Sequence, residues 1–117
     1  MRPDGVDVIN LCPHDLHVLH ANGLRTVLPR AEKPARCMVE SVRDGELTLN
    51  GQTVPIHVSR FGAVYDLPDP RPDTYFVVSR PVAEACDHLR TDVLVVDDIV
   101  RSSDGTIIGC RAFASVR

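Results

Sequence analysis

The sequence contains no tryptophan and has only two tyrosines and three phenylalanines among its 117 residues. Nucleic-acid bases stack on aromatic side chains, so a single strand would find few such surfaces here. Basic residues do not make up for this lack, because 13 lysines and arginines are outnumbered by 16 aspartates and glutamates. Binding through phosphate contacts needs a basic face, whereas the net charge is −3. We therefore predict no nucleic-acid partner.

Long apolar runs are also missing from the chain. None approaches the ~18 residues that a membrane-spanning helix needs, and residues 1–5 lack the apolar core of a secretory signal. These absences predict a cytoplasmic protein with no membrane partner. The length and the hydrophobic fraction of 44% are typical of one globular unit, so we predict a single domain over residues 1–117.

The cysteines are far apart and include no C-x-x-C pair. They are Cys12, Cys37, Cys86 and Cys110. Their even number could form two disulfides, but in a cytoplasmic protein reduced thiols, buried as small hydrophobic groups, are the favoured state. The sequence predicts no cofactor.

Turn dipeptides are the clearest local signal that the chain does contain. Asn22-Gly23, Asn50-Gly51 and Asp104-Gly105 each stand between apolar stretches, and such pairs tolerate the positive φ angles of tight hairpins. They predict three hairpins, which pair residues 15–20 with 24–28, 46–49 with 52–59, and 98–101 with 106–113. Asp44-Gly45 is a fourth possible turn, which residues 36–41 lead into.

The other elements follow from periodicity and from proline. Residues 6–11, 74–78 and 93–96 are predicted strands, and residues 66–73, with three prolines, are predicted to form a rigid connector. Pro55 cannot donate to a strand ladder, so its strand is expected at an edge or at a bulge. Such an edge could accept another chain or form a homodimer.

One short amphipathic helix is predicted near residues 80–89. Ser79 can cap it and Pro81 suits its first turn, while Val82, Cys86 and Leu89 recur on one face. The predicted fold class is therefore α+β, mainly β, with an antiparallel hairpin-rich sheet or a partly open barrel and one short helix.

A histidine cluster near the start suggests metal binding at first sight. Its members are Cys12, His14, His17 and His20, which are ligand types that suit zinc or copper. On a strand, however, alternation places His14 and His20 on one face and His17 on the other. We therefore predict no metal site, although a metal-binding module remains an alternative.

Catalysis is a further alternative. His14 could act as a base with Cys110 or Ser79 as the nucleophile, in a small hydrolase or transferase. Ser79 lacks the G-x-S-x-G context of a nucleophile elbow, and capping explains it more simply. The sequence assigns no catalytic residue and favours a protein that is not an enzyme.

The run Asn10-Leu11-Cys12-Pro13-His14, together with Arg90-Thr91-Asp92 and Ile108-Gly109-Cys110-Arg111, resembles a known pattern. It is similar to small uncharacterised proteins of bacteriophages, prophages and actinobacteria that open with N-L-T-P-H. Cys12 stands where threonine is usual in that pattern, and His17 and His20 have no counterpart. The resemblance implies a phage-related bacterial protein but carries no activity.

Several polar residues match that pattern and form the predicted ligand site. They are Asn10, His14, Ser79, Arg90, Asp92 and Arg111. If they converge, they can hold a small anionic or nucleotide-like ligand. An alternative is that Asn10 and His14 only hold the Pro13 turn. The predicted function is a non-enzymatic accessory protein that binds a small polar ligand or a partner protein.

Overall fold

The computed structural model of the chain describes residues 5–87 and 89–116. More than half of them lie in eight strands, and one short helix, α1, spans Arg80–Ala85. The strands are β1 (Asp7–Asn10), β2 (Leu16–Leu19), β3 (Arg25–Leu28), β4 (Arg36–Leu49), β5 (Gln52–Tyr65), β6 (Thr74–Val77), β7 (Val93–Arg101) and β8 (Ile107–Ala114).

Six strands form one sheet in the order β1-β6-β7-β8-β2-β3. The pairs β7–β8 and β2–β3 are antiparallel, whereas β1–β6, β6–β7 and β2–β8 are parallel. β2 and β8 approach closely at Gly109, where a Cβ atom would lie 2.8 Å from the carbonyl oxygen of His17. The predicted mainly β fold with hairpins and one short helix is confirmed, but the three parallel pairings were not predicted.

The sheet curls until its two edge strands meet. The Asn10 side chain at the end of β1 donates to the carbonyl oxygen of Leu28, the last residue of β3. Just beyond, the amides of Ala31 and Ala35 donate to the carbonyls of Cys12 and Leu11. These contacts bring the sheet close to a closed barrel, which we call the barrel.

β6 is the most deeply buried strand because both of its faces are covered. Phe76 and Val77 are 0% exposed. Phe76 belongs to an apolar cluster with Val82 of α1, whereas Val77 packs on the other face with Leu16 of β2. A strand buried on both faces reads as a continuous apolar run, as the sequence of residues 75–78 does.

The helix is shorter than the predicted span of residues 80–89. It ends at Ala85, and Asp87 adopts a left-handed conformation with φ of 49°, which stops the helix. Leu89, predicted on the buried face, is 85% exposed, so that part of the prediction is wrong. His88 lies outside the described residues. Within them, no helix has the length and apolar character to cross a membrane.

The three predicted hairpins are present, but the turn predicted at Asp44-Gly45 is wrong. Asp44 lies in a bulge of β4, between the Arg43–His57 and Gly45–Ile56 pairs, and the strand continues to Leu49. A bulge and a turn both depart from the regular strand conformation, so small polar residues such as Asp and Gly suit either.

β4 and β5 form a two-stranded sheet of their own, which we call the arm. It pairs continuously from Arg36–Tyr65 at its base to Leu49–Gln52 beside the Asn50-Gly51 turn. The chain measures 63 × 39 × 26 Å and has a radius of gyration of 17.8 Å, whereas a compact domain of this length has about 13 Å. Pro55 lies in the arm, where both strands are edges, as predicted.

Candidate functional site

Asn10 is a structural bracket in the barrel. It is 6% exposed. Its amide nitrogen donates to the carbonyls of His14 (2.9 Å) and Leu28 (3.0 Å), and its side-chain oxygen accepts from the amide of Cys12 (2.7 Å). Both hydrogens of the amide group are thus used by the backbone, which matches the interpretation that Asn10 holds the Pro13 turn.

His14 follows that turn and lines a groove of about 250 Å³ along β2 and β8. Cys110 lines the same groove, but it is buried, and burial raises the pKa of its thiol. A raised pKa disfavours the thiolate that a nucleophile needs. The apolar wall of the groove includes Ile99, Ile107 and Ile108.

Ser79 lies at the junction of β6 and α1, in a different cavity. This crevice of about 360 Å³ opens beyond the carboxyl ends of the parallel strands β1 and β6 and also touches Cys12, Pro13 and Arg36. Ser79 occupies the predicted N-cap position, although its side chain makes no capping hydrogen bond. Its location separates it from the groove that contains His14 and Cys110.

Arg90 and Asp92 form a two-pronged ion pair whose side chains are only 18% and 14% exposed. Arg90 also donates to the carbonyl oxygen of Pro68, which ties the proline-rich connector to the barrel. The hydrogen bonds from Arg90 lower the pKa of Asp92, and those bonds raise the pKa of Arg90. We call this ion pair the brace. The Nε and Nη2 groups of Arg90 already donate to Asp92 and to Pro68.

Arg111 lies apart from the other predicted ligand residues. It is exposed on β8, and its guanidinium nitrogen is 3.9 Å from a carboxylate oxygen of Asp98. The six predicted residues thus occupy the turn bracket, the groove, the crevice, the brace and an exposed strand. No described cavity is lined by more than one of them.

The histidine cluster is also divided. Cys12 is buried, with its sulfur 3.7 Å from the carbonyl oxygen of Val77, and His20 bonds to the hydroxyl of Thr26. His17 has a buried Nδ1 without a hydrogen-bond partner. Among residues 5–87 and 89–116, no three His, Cys, Asp or Glu side chains are grouped so that they can hold a metal ion.

The arm carries the functional feature that the predicted site residues omit. In the ladder, Val42 pairs with Val58, Gly45 with Ile56 and Leu47 with Val54, and directly paired residues lie on the same face. Six aliphatic side chains therefore share one face, which we call the apolar arm face: Val42, Leu47, Leu49, Val54, Ile56 and Val58.

The opposite face of the arm is polar beyond its base. Ser41 bonds to His57, and Arg43 pairs with Glu46. At the base this same face contacts the core through Cys37 and Val64. The apolar arm face therefore points away from the core. All six of its side chains except the half-buried Val42 are exposed.

Comparisons with family models, with curated proteins and with solved structures return no match. The chemistry available at each place therefore carries the functional conclusion. The groove and the crevice are mainly apolar hollows, and the brace is internally paired. The apolar arm face places five exposed aliphatic side chains and the half-buried Val42 along one side of the arm. The alternation of residues 54, 56 and 58 was the signal for it, although that signal does not say what covers the face.

Proposed function

We propose that this protein is a non-enzymatic accessory protein whose arm binds the surface of another protein. The proposal rests on a single observation: the aliphatic side chains of the apolar arm face lie outside the core and are exposed to solvent. A group of neighbouring exposed apolar side chains with polar residues around it is typical of an interaction site on a folded protein.

The apolar arm face takes no part in the packing of the two apolar clusters. Beyond Val39 and Phe61, the packing contacts with the two apolar clusters have ended, and the ladder continues to the tip without them. A two-stranded hairpin alone is only marginally stable in water. A partner that covers the apolar arm face would therefore stabilise the arm as well as bind it.

Charge favours a protein partner over a polyanion or a lipid surface. Residues 36–65 contain three arginines and three acidic residues, so the arm has no net charge. A neutral aliphatic strip is complementary to another protein surface of the same kind, whereas phosphate-rich partners need positive charge. The separation of the six predicted ligand residues also favours a protein partner over a small polar ligand.

A crosslinking experiment tests this function with neighbouring positions on opposite faces. Ile56 lies on the apolar arm face, and His57 lies next to it on the polar face. Each would be replaced by the photo-crosslinker p-benzoylphenylalanine in the full chain, expressed in cells of the organism that encodes it. We expect a discrete protein adduct from position 56 on irradiation and none from position 57.

The matched position makes the result interpretable. Both variants place the same bulky ketone in solvent on the same strand, so they differ only in the face they report. Adducts of equal yield from the two positions, or no adduct from position 56, would overturn the proposal.

A further inference from the structure

We infer that the crevice beside Ser79 is a binding site for a small carboxylate with an apolar body, such as a medium-chain fatty acid. Arg36 and Ser79 bind the carboxylate, and the apolar wall of the crevice covers the hydrocarbon chain. None of the six residues of the apolar arm face lines this crevice, so the site goes beyond the proposed function.

The crevice has the size and the stiffness of a ligand site. Its volume of about 360 Å³ falls within the range of roughly 300 to 1,000 Å³ that is usual for small-molecule pockets. The turn after β1, the start of β4 and the junction of β6 with α1 each supply part of its wall, and each brings a proline: Pro13, Pro34 and Pro81. Proline rings restrict the backbone, so a ligand meets a largely pre-formed cavity.

The floor of the crevice is apolar because its polar groups are already used within the chain. The amide of Leu11 donates to the carbonyl oxygen of Val77, and the amide of Ala35 donates to that of Leu11. Burial raises the pKa of the thiols of Cys12 and Cys37. Both thiols are therefore neutral at neutral pH and resemble small apolar groups. Such a floor suits a hydrocarbon chain and carries no charge that would repel an anion.

The charge of the crevice favours an anionic ligand. Of the described residues that line it, Arg36 alone is charged and none is acidic. Arg36 is exposed, and within residues 5–87 and 89–116 its side chain makes no ion pair or hydrogen bond. A guanidinium offers a fork of donors that matches a carboxylate. One positive charge also suits a monocarboxylate better than a phosphate group, which carries up to about two negative charges at neutral pH.

Ser79 supplies a second polar group at the crevice. It is the N-cap residue of α1, but its hydroxyl makes no capping hydrogen bond. Pro81, at the second helical position, has no amide hydrogen that this hydroxyl could accept. The hydroxyl is therefore available to donate to a carboxylate. Ser79 and Arg36 are both exposed, so the carboxylate lies at the mouth of the crevice and the chain lies inside.

A titration with octanoate tests this site by NMR, with the purified full chain and its backbone amide signals as the readout. Octanol has the same chain without the charge, and acetate has the charge without the chain. A ligand of about ten non-hydrogen atoms should bind with a Kd of about 0.1 to 1 mM. We expect the amides of Cys37 and Val82 to shift. Octanol should bind at least about fivefold more weakly, and acetate should not bind below about 10 mM.

Three variants assign the polar contacts. Arg36→Gln should weaken octanoate binding at least about fivefold and leave octanol binding unchanged, so that the two ligands bind alike. Ser79→Ala should weaken octanoate binding about twofold. Arg25→Gln is the matched control, because Arg25 is an exposed arginine of β3 that lines none of the described cavities. It should bind octanoate like the unchanged chain, and melting temperatures should show that all three variants fold.

Several results would overturn the assignment of this site. They are no binding of octanoate up to about 10 mM, equal binding of octanoate and octanol by the unchanged chain, unchanged octanoate binding by Arg36→Gln, and shifts confined to the groove beside His14. The crosslink from position 56 is measured without octanoate, so either site can fail while the other stands.

Discussion

Side chains alternate between two faces along the strands of both the barrel and the arm, but the two regions differ in whether those faces are buried. In the barrel, Phe76 and Val77 point to opposite faces of β6, and packing covers both. In the arm, Ile56 and His57 point to opposite faces of β5, and both are exposed. A row of aliphatic side chains on a strand therefore predicts that one face is covered. It does not show whether the covering surface belongs to the same chain or to another one.

The two regions also differ in the burial of their polar groups and in the segments that those groups connect. Asn10 and the Arg90–Asp92 pair are largely buried, and each holds separate segments of the barrel together. The Arg43–Glu46 pair of the arm joins residues of a single strand in solvent. Buried polar groups become costly when one partner is lost, whereas exposed ion pairs contribute little.

The largest difference between the regions should follow from removal of the Asn10 amide. Asn10→Ala leaves the Cys12 amide and the His14 and Leu28 carbonyls without their partner at the point where the sheet closes. We expect the free energy of unfolding to fall by about 4 kcal/mol, measured by urea denaturation.

Asn22→Ala is the matched control for that variant. Asn22 also accepts a hydrogen bond from an amide two residues later, but it does so in an exposed turn. Its loss should cost less than about 1 kcal/mol. Equal costs at Asn10 and Asn22 would show that the closure of the sheet does not depend on the Asn10 side chain.

An identical substitution in each region gives the next largest contrast. Val77→Ala opens space in the barrel where the side chain is 0% exposed, and it should cost about 2 kcal/mol. Val58→Ala, on the apolar arm face, should cost less than about 0.5 kcal/mol in dilute solution. The measurement is again urea denaturation. A cost at Val58 as large as that at Val77 would mean that the isolated chain buries the arm.

The smallest contrast concerns the two ion pairs and their pH dependence. Arg90 lowers the pKa of Asp92 in the folded chain, so the stabilisation is present above the ordinary carboxyl pKa of about 3.9. It is lost as the pH falls further, through the folded pKa. Asp92→Asn should therefore cost about 1 to 2 kcal/mol at neutral pH and progressively less in acid.

Glu46→Gln removes the carboxylate from the exposed pair of the arm and serves as the control. It should change the free energy of unfolding by less than about 0.5 kcal/mol at neutral pH. Urea denaturation of both variants across the acid range supplies the comparison. A cost at Asp92 that does not shrink in acid would contradict the assigned role of its charge.

Local chemistry made most of the elements predictable. Asn50 and Gly51 both adopt positive φ angles, of 49° and 76°, in the turn that their sequence indicated. The parallel pairing of β1 with β6 had no such signal, because Asp7 and Thr74 meet only through the fold. Leu89 was misplaced because helical periodicity does not show where Asp87 ends the helix.

The candidate site was less predictable than the fold. Asn10 was predicted as a ligand residue, with the alternative that it holds the Pro13 turn together with His14; its side-chain amide is fully used by backbone groups. The alternation at Val54, Ile56 and Val58 was visible as a strand, and Pro55 marked an edge. The direction of this strand, away from the core, depends on how α1 and the barrel pack. Local sequence patterns contain no information about that packing.

The pairing of Arg36 with Tyr65 means that the chain leaves the barrel and returns to it at one point. Insertion of residues beyond that point lengthens the arm and leaves the packing of the barrel unchanged. Two further residues in each strand would extend the reach of the arm by about 7 Å and keep its orientation. One further residue in each would rotate the apolar arm face to the opposite side. Reach and direction can thus vary by insertion at the base of the arm, while the barrel keeps its own sequence.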